Sequence, residues 1–373
     1  MTRMKLLMAG QFPLEPGRPQ GGVESAMNSL VLGLSQIPDI DIEIIANTES
    51  TKTGTTEYAF GRVTYVHIGP GIRGWARDLH GLMVREIRRR DADVVHIQGH
   101  ASVASRVPGS ILTVHGVAER AAWTSNRGLQ RVTKSAAIFA LEGIPRLRAS
   151  RVIAISEYTT RQLAGRGRQV WQIPNAIDPV FFSSDVKTPH RNPKTFLYGG
   201  LIIPRKDVAG IIRAFAKVAS QDRDAHLVVA GDGADSGYGH HCRELVADFG
   251  LHSSVSFLGP QSTSQMRSLL GSVGTLVLFS HHENAPMIVA EALAMGTAVV
   301  ATRVGAVSEM LKGLPGCAVV SRGDAGGLQA QMISRLQPVN EGDITQLRKA
   351  ATRFSPESVA GATYQAYLET VSR

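Results

Sequence analysis

The sequence predicts an α/β fold of two Rossmann-like domains, each a parallel sheet covered by helices on both faces. Three observations carry this expectation. Short apolar runs alternate with longer helix-period stretches over nearly the whole length, the pattern of strands joined by crossover helices. The 373 residues exceed what a single average core organises. A polar stretch without periodicity, Ser183 to Pro193, carries two prolines and divides the chain near its middle.

In chain order the first half offers strands at 5–9, 42–46, 63–68, 93–97, 111–115, 151–155 and 170–173. The second half offers 195–199, 226–230, 254–258, 275–279 and 298–302, with helices such as 207–219, 262–272 and 286–295 between them. The domains therefore run over 1–182 and 194–354, leaving 355–373 as a C-terminal helix. That helix opens with Ser355-Pro356-Glu357, a cap residue and then a proline in the first turn, where a missing N–H loses no helical partner.

Composition excludes several classes. No apolar run approaches the roughly 20 residues of a membrane-spanning helix, and Lys5 to Gly10 is too short for the apolar region of a signal peptide. A cytoplasmic protein is expected. Cys242 and Cys317 read as small core residues. Neither His240-His241 nor His281-His282 has zinc-site spacing, and Asp91-Ala92-Asp93 leads into a strand and reads as a turn, so no metal is expected.

Residues 1–180 hold 22 Lys and Arg against 15 Asp and Glu, so most of the net charge of +9 sits in the first half. It gathers at Arg85, Arg88, Arg89 and Arg90, and again at Arg127, Arg131, Lys134, Arg146, Arg148 and Arg151. Two readings stand side by side: solvated helix faces, or a peripheral contact with anionic membrane or a phosphorylated acceptor. No nucleic-acid partner is expected.

The most informative stretch is Glu283 to Glu291. A strand at 275–279 runs into Ser280-His281-His282-Glu283, and a helix begins near Asn284-Ala285-Pro286, with Asn284 as the expected N-cap and Gly296 as the stop. Such a loop lies at the carboxyl end of a parallel strand, where open α/β sheets bind ligands, and its unpaired N–H groups suit a diphosphate. Glu291 enters an otherwise apolar helix with no cation three or four residues away, so its carboxylate needs a partner elsewhere. A ribose diol matches its two oxygens, and a distant Arg or a helix terminus is the structural alternative. Eight residues at about 1.5 Å each separate the two carboxylates by roughly 12 Å, comparable to the span from a transferred hexose to the ribose of its nucleotide.

His282-Glu283-Asn284-Ala285-Pro286-Met287-Ile288-Val289-Ala290-Glu291 with Ala292-Leu293-Ala294-Met295-Gly296 and Val299-Val300-Ala301-Thr302 resembles the signature of the family 4 retaining glycosyltransferases. Other landmarks follow in the expected order. Gly21-Gly22-Val23-Glu24 resembles the N-terminal glycine loop, and Thr113-Val114-His115-Gly116 the strand end whose histidine contacts the transferred sugar. Val152 to Glu157 and Ile173 to Asp178 resemble the segments near the domain junction. Ala230-Gly231-Asp232-Gly233 resembles the glycine turn at the crevice rim, and Phe257-Leu258-Gly259 the stretch that meets the base. One departure stands out: where the family carries an Arg before its clamp Lys, Gly199-Gly200-Leu201-Ile202-Ile203-Pro204-Arg205-Lys206 has Gly200 or Leu201, leaving Lys206 as the phosphate contact and Arg205 as a candidate substitute.

The resemblance implies the GT-B architecture: two facing Rossmann-like domains, the donor held mostly by the second, the acceptor by the first, and the last helix crossing back to the N-terminal domain. It implies a UDP- or GDP-sugar donor, a saccharide or lipid-linked acceptor, no further cofactor, and retention of anomeric configuration. Donor-binding residues would be Gly21, Gly22, Arg205, Lys206, Gly231, Leu258, Glu283, Asn284, Ala285, Pro286, Met287 and Glu291; His115, Glu283 and Lys206 would stand at the chemistry. Lys206 and the N–H groups of 284–287 would neutralise the departing diphosphate without a metal. A two-carboxylate hydrolase conflicts with the eight-residue separation. A dinucleotide-dependent dehydrogenase lacks its glycine fingerprint after the first strand. A nucleotide-sugar 2-epimerase of related fold, and a donor-binding module of weak activity, are the alternatives carried forward.

Overall fold

A computed structural model describes residues 3–15, 19, 21–51, 53–69, 74–116, 128–163, 167–183 and 191–372, the side chains of 75, 76, 80 and 128–131 excepted. The chain divides into two compact units: Met1–Asp178 with Arg353–Arg373, and Pro179–Thr352. Most of the linker stretch, 184–190, lies outside the described residues.

The first unit holds an eight-stranded sheet of β1 (Met4–Gln11), β2 (Ile40–Thr48), β3 (Gly54–Tyr58), β4 (Gly61–His67), β5 (Val94–Gln98), β6 (Ile111–Val114), β7 (Arg151–Ala154) and β8 (Gln169–Gln172), in the order β3-β4-β2-β1-β5-β6-β7-β8. All pairs are parallel except β3 with β4. The parallel strands read as near-continuous apolar runs because both faces are covered: Leu6 and Met8 point into one core, Leu7 and Ala9 into the other. Helix Gly22–Leu34 packs against the C-terminal helix Pro356–Val371, close enough that a Cβ on Gly33 would lie 2.2 Å from the Pro356 carbonyl oxygen. The C-terminal helix belongs to this first core through Val359, Ala360, Ala366 and Tyr367.

The second unit holds six parallel strands: β9 (Asn192–Gly199), β10 (His226–Ala230), β11 (Val255–Gly259), β12 (Val273–Leu278), β13 (Ala298–Thr302) and β14 (Ala318–Val320), in the order β11-β10-β9-β12-β13-β14. Chain direction along the sheet reverses between β9 and β12 here, and between β1 and β5 in the first unit. Crossovers therefore leave to opposite faces at these two positions and open a crevice at the carboxyl ends of the strands.

Two strands differ from the sequence expectation. β3 is an exposed, polar edge strand with no apolar alternation, and β14 has three residues, too few for a periodic signal. The expected helix cap also differs: helix Met287–Ala294 begins after Pro286, which occupies the cap position with extended backbone and no side-chain cap. Asn284 lies two residues earlier, where its carbonyl accepts the Ala306 N–H at 2.7 Å. No described helix is long and apolar enough to cross a membrane.

Candidate functional site

In the second unit, β9 and β12 deliver two loops to one crevice. From β9 the chain passes Gly199-Gly200 into a short 3-10 turn, Pro204–Lys206; from β12 it passes through 279–286 into helix Met287–Ala294. The loops are sewn together: the His281 N–H donates to the Arg205 carbonyl at 2.8 Å, and Arg205 Nη1 donates to the His282 carbonyl at 2.8 Å. Lys206 Nζ donates to Glu283 Oε1 at 2.5 Å, with Arg205 Nη1 3.9 Å from Glu283 Oε2. The Glu283 and Lys206 side chains keep only 8% and 15% of their exposure, so each charge depends on the other. Phosphate contact and sugar contact, separate expectations from the sequence, thus meet as one ion pair.

Supports from elsewhere in the chain hold this pair. Asp207 is the one described non-glycine residue with positive φ, at 49°, and its side chain accepts the Gly210 N–H, capping helix Val208–Gln221 directly behind Lys206. Gly305, φ 55°, lets the backbone pass so close to the other loop that a Cβ would sit 2.4 Å from the Glu283 carbonyl oxygen. Thr302 Oγ1 donates to the Ser280 carbonyl at 2.7 Å. Tyr198, near the end of β9, is wholly buried and donates to the Leu201 carbonyl at 2.6 Å. Sequence reasoning missed Asp207, Gly305 and Tyr198; the Asp207-Val208 start of a helix was the one local signal available.

Of the other expected donor contacts, Gly231 lies at the carboxyl end of β10, and a Cβ there would overlap the Gly200 carbonyl oxygen at 1.8 Å. Its glycine character is therefore set by packing against the β9 loop. Leu258 is 43% exposed in β11, its carbonyl accepting from Gln261 Nε2 at 3.0 Å. Glu291 is half-buried in its helix among buried Val289, Ala290, Ala292 and Leu293. Gly200 has φ 141° with its would-be Cβ near the Tyr198 hydroxyl, so the position where the family Arg is expected is built for a turn.

The first unit brings Gly21, Gly22 and His115 to the carboxyl ends of its central strands. Gly21 is the extended cap residue of helix Gly22–Leu34, and nothing in the described protein lies within 4 Å of where its Cβ would be. His115 follows β6 and its Nε2 lies 2.7 Å from Gln98 Oε1 at the end of β5. Burial pushes the His115 imidazole down to about 4 against an opposing effect of the Asn175 side chain; its buried Nδ1 has no hydrogen bond by geometry, so Asn175 acts as a neighbour rather than a partner. Beside Gly21, a groove of about 850 Å³ opens between β1, β2 and the unexpected hairpin of β3 and β4, lined among others by Glu24, Asn47, Thr48, Glu49 and Tyr58.

The basic residues divide. Arg90 pairs with Glu43 and Glu86, Arg89 with Glu86, and Arg88 donates to the Arg106 carbonyl, so that cluster is largely internal structure. Arg146 is buried, and Arg151 donates to the Gly109 carbonyl. Arg127 and the Arg131 side chain lie outside the described residues. Lys134 and Arg148 are exposed on the helical stretch 128–148, which also exposes Val132, Phe139, Ile144 and Leu147. Asp91 pairs with Lys5 Nζ and Asp93 accepts the Lys5 N–H, the turn that the sequence suggested.

Comparisons with known proteins place this geometry. The phosphatidyl-myo-inositol mannosyltransferase of Mycolicibacterium smegmatis is 27% identical over 252 residues, 64% of this chain and 63% of that protein. The glycogen synthase of Mycobacterium tuberculosis is 28% identical over 56% of this chain, so the chain spans about half to two thirds of the length of these curated relatives. Sucrose-phosphate synthase from Thermosynechococcus elongatus superposes with a TM-score of 0.73 at 17% identity, covering 98% of this chain and 97% of that one. That likeness is one of fold, the two-domain GT-B fold. A model described as Glycosyltransferase Family 4 matches residues 20–181 and one described as Glycosyl transferases group 1 matches 193–337, so nearly every landmark above falls inside a matched region. The chain belongs to the family 4 glycosyltransferases.

Proposed function

We propose that this protein is a glycosyltransferase that moves a hexose from a UDP- or GDP-sugar to a hydroxyl of a saccharide or lipid-linked acceptor, with retention and without a metal ion. The observation that carries this reading is the Lys206–Glu283 pair beside the start of helix Met287–Ala294. Departure of a nucleoside diphosphate develops negative charge on phosphate oxygens, and a mostly desolvated ammonium held in place by a carboxylate is preorganised to meet it. Arg205 adds a second cation in place of the family Arg. Glu283 then exchanges part of its bond to Lys206 for hydroxyls of the sugar, Glu291 takes the ribose diol, and the leaving phosphate accepts the acceptor's proton on the same face. His115, neutral at working pH, orients the sugar by hydrogen bonding.

The hydroxyl- and carboxylate-bearing groove of the first unit supports a polyhydroxylated acceptor there. The exposed Val132, Phe139, Ile144 and Leu147 with Lys134 and Arg148 support a peripheral contact with an anionic membrane, as a cytoplasmic enzyme of cell-envelope polysaccharide assembly would make. The deciding experiment incubates the protein with UDP- and GDP-hexoses, with and without saccharide acceptors, and measures nucleoside diphosphate and product anomer. Acceptor-dependent release with a retained anomer is expected. Tight donor binding without release under any acceptor would instead make it a donor-binding module.

A further inference from the structure

The β3–β4 hairpin brings an aromatic face to the groove that Gly21 lines. Tyr58 closes β3, Phe60 stands in the turn that follows, and Tyr65 lies on β4. The rings of Tyr58 and Phe60 stack with centroids 5.2 Å apart and planes 7° from parallel, and Phe12 meets Phe60 edge-on at 5.7 Å. Phe60 thus rests on the first core and covers one face of half-buried Tyr58. Tyr58 lines the groove of about 850 Å³, and Phe60 is absent from its described lining, so the face turned to the groove is the one that Phe60 leaves open.

Hydrogen bonds fix the direction of that ring. Tyr65 is buried and its hydroxyl donates to the Pro13 carbonyl at 2.8 Å, which spends its proton. Burial, first of all, holds that proton on the Tyr65 phenol, whose pKa is raised. The Tyr58 proton is therefore the one shared between Tyr65 Oη at 3.3 Å and the Leu14 carbonyl at 3.4 Å. Both partners belong to residues that line the same groove, so the phenol end is tethered to its floor while the ring face stays available.

The rest of the lining is uncharged or anionic. Asn47, Thr48 and Thr56 supply amide and hydroxyl groups, and Glu15, Glu24 and Glu49 supply carboxylates. No described lining residue is a lysine, arginine or histidine. A pyranose ring suits such a wall: its C–H bonds carry slight positive charge and meet the negative face of an aromatic ring, while its hydroxyls donate to carboxylates and exchange hydrogen bonds with amides and hydroxyls. A phosphate on that ring would meet like charge instead.

We propose that Tyr58 is the stacking platform of the acceptor site, and that it takes an uncharged saccharide laid with the C–H face of one pyranose ring against it. The proposal rests on the glycosyltransferase reading only for the word acceptor, since saccharide binding needs no donor and is measured apart from transfer.

The test is saturation-transfer NMR on the full chain without donor. The probes are the methyl glycosides of glucose, mannose and galactose, with glucose 6-phosphate and inositol 1-phosphate as anionic counterparts. Wild type should saturate the ring C–H protons of at least one methyl glycoside and bind the phosphorylated probes about fivefold more weakly or worse. Tyr58→Ala should weaken glycoside binding about 10-fold or more, and Tyr58→Phe, which keeps the face and drops the hydroxyl, by about threefold at most. Tyr58→Leu fills the space without an aromatic face and should behave like Tyr58→Ala; binding as good as in Tyr58→Phe would make the position one of packing and overturn the proposal. In transfer assays Tyr58→Ala should raise acceptor KM by the same factor with donor KM within about twofold. Glycoside binding that is unchanged in Tyr58→Ala, absent in wild type, or weaker than that of the phosphorylated probes also overturns it. Binding that depends on Tyr58 together with no transfer from any UDP- or GDP-hexose upholds the platform and removes the glycosyltransferase reading instead.

Discussion

Each unit builds a site at an equivalent place, the carboxyl ends of the strands where its sheet order reverses, yet the two sites are held in opposite ways. The second unit's edge is charged: Lys206, Arg205 and Glu283 sit together with little exposure. The first unit's edge is neutral: His115, Gln98, His96 and Tyr367 are joined by hydrogen bonds and burial keeps both imidazoles uncharged. On the proposed function, the charged site would receive charge that develops during transfer and the neutral one would orient a sugar without adding charge. Solvent and salt should therefore act on them differently.

The largest expected effect breaks the charged edge. Lys206→Ala leaves buried Glu283 with only the more distant Arg205, which should cost about 3 kcal/mol of stability and roughly 10²-fold or more in turnover. Denaturant unfolding and steady-state rates check both, and wild-type turnover would remove Lys206 from the phosphate. Lys206→Met with Glu283→Gln should recover much of the stability and none of the rate, because it removes both charges together; recovery of rate would contradict the charged design. Next in size, Glu291→Ala should weaken donor affinity by about 1–3 kcal/mol in a folded protein, read by calorimetry. Unchanged affinity would separate Glu291 from the ribose.

Arg205→Ala should cost less, about 1 kcal/mol of donor affinity, since its guanidinium is 3.9 Å from Glu283 and spends one donor on the His282 carbonyl. That difference should shrink in high salt, whereas the stability cost of Tyr367→Phe, which removes a buried neutral hydrogen bond to His96, should be insensitive to salt. The neutral site is broken instead through a pH dependence of stability. His96 and His115 have folded pKa values of about 3 and 4, below their ordinary value of 6.5, so the unfolded chain binds protons that the folded one does not. Their contribution is fully present above about pH 6.5 and falls as pH drops toward 4. A stability profile flat across that window after His96→Phe and His115→Gln, but sloping in wild type, would locate it in these rings.

What the sequence disclosed follows from how local each signal is. The β12 strand, its loop and helix Met287–Ala294 lie within one continuous stretch, so apolar period, proline and Gly296 all speak to the same element. The Lys206–Glu283 bond joins residues 77 apart, and only the β9–β12 neighbourhood in the sheet brings them together. Asn284 looked like a cap because a cap is judged from neighbours in sequence; Gly305 and Ala306, from the next crossover, claim its backbone instead. His96 reads as an apolar-strand histidine and Tyr367 as a helix aromatic, and nothing in either segment announces the other.

Because the first unit takes its last helix from residues 353–373, the order of synthesis and the order of completion are inverted. A ribosome finishes the whole second unit before it emits Val359, Ala360 and Tyr367, the side chains that close the first core. Until then the first core lacks the side chains of that helix, and His96 lacks its hydrogen bond to Tyr367. A chain stalled or clipped before residue 353 would carry a finished second unit and an unfinished first core, so the first core is complete only with residues 353–373.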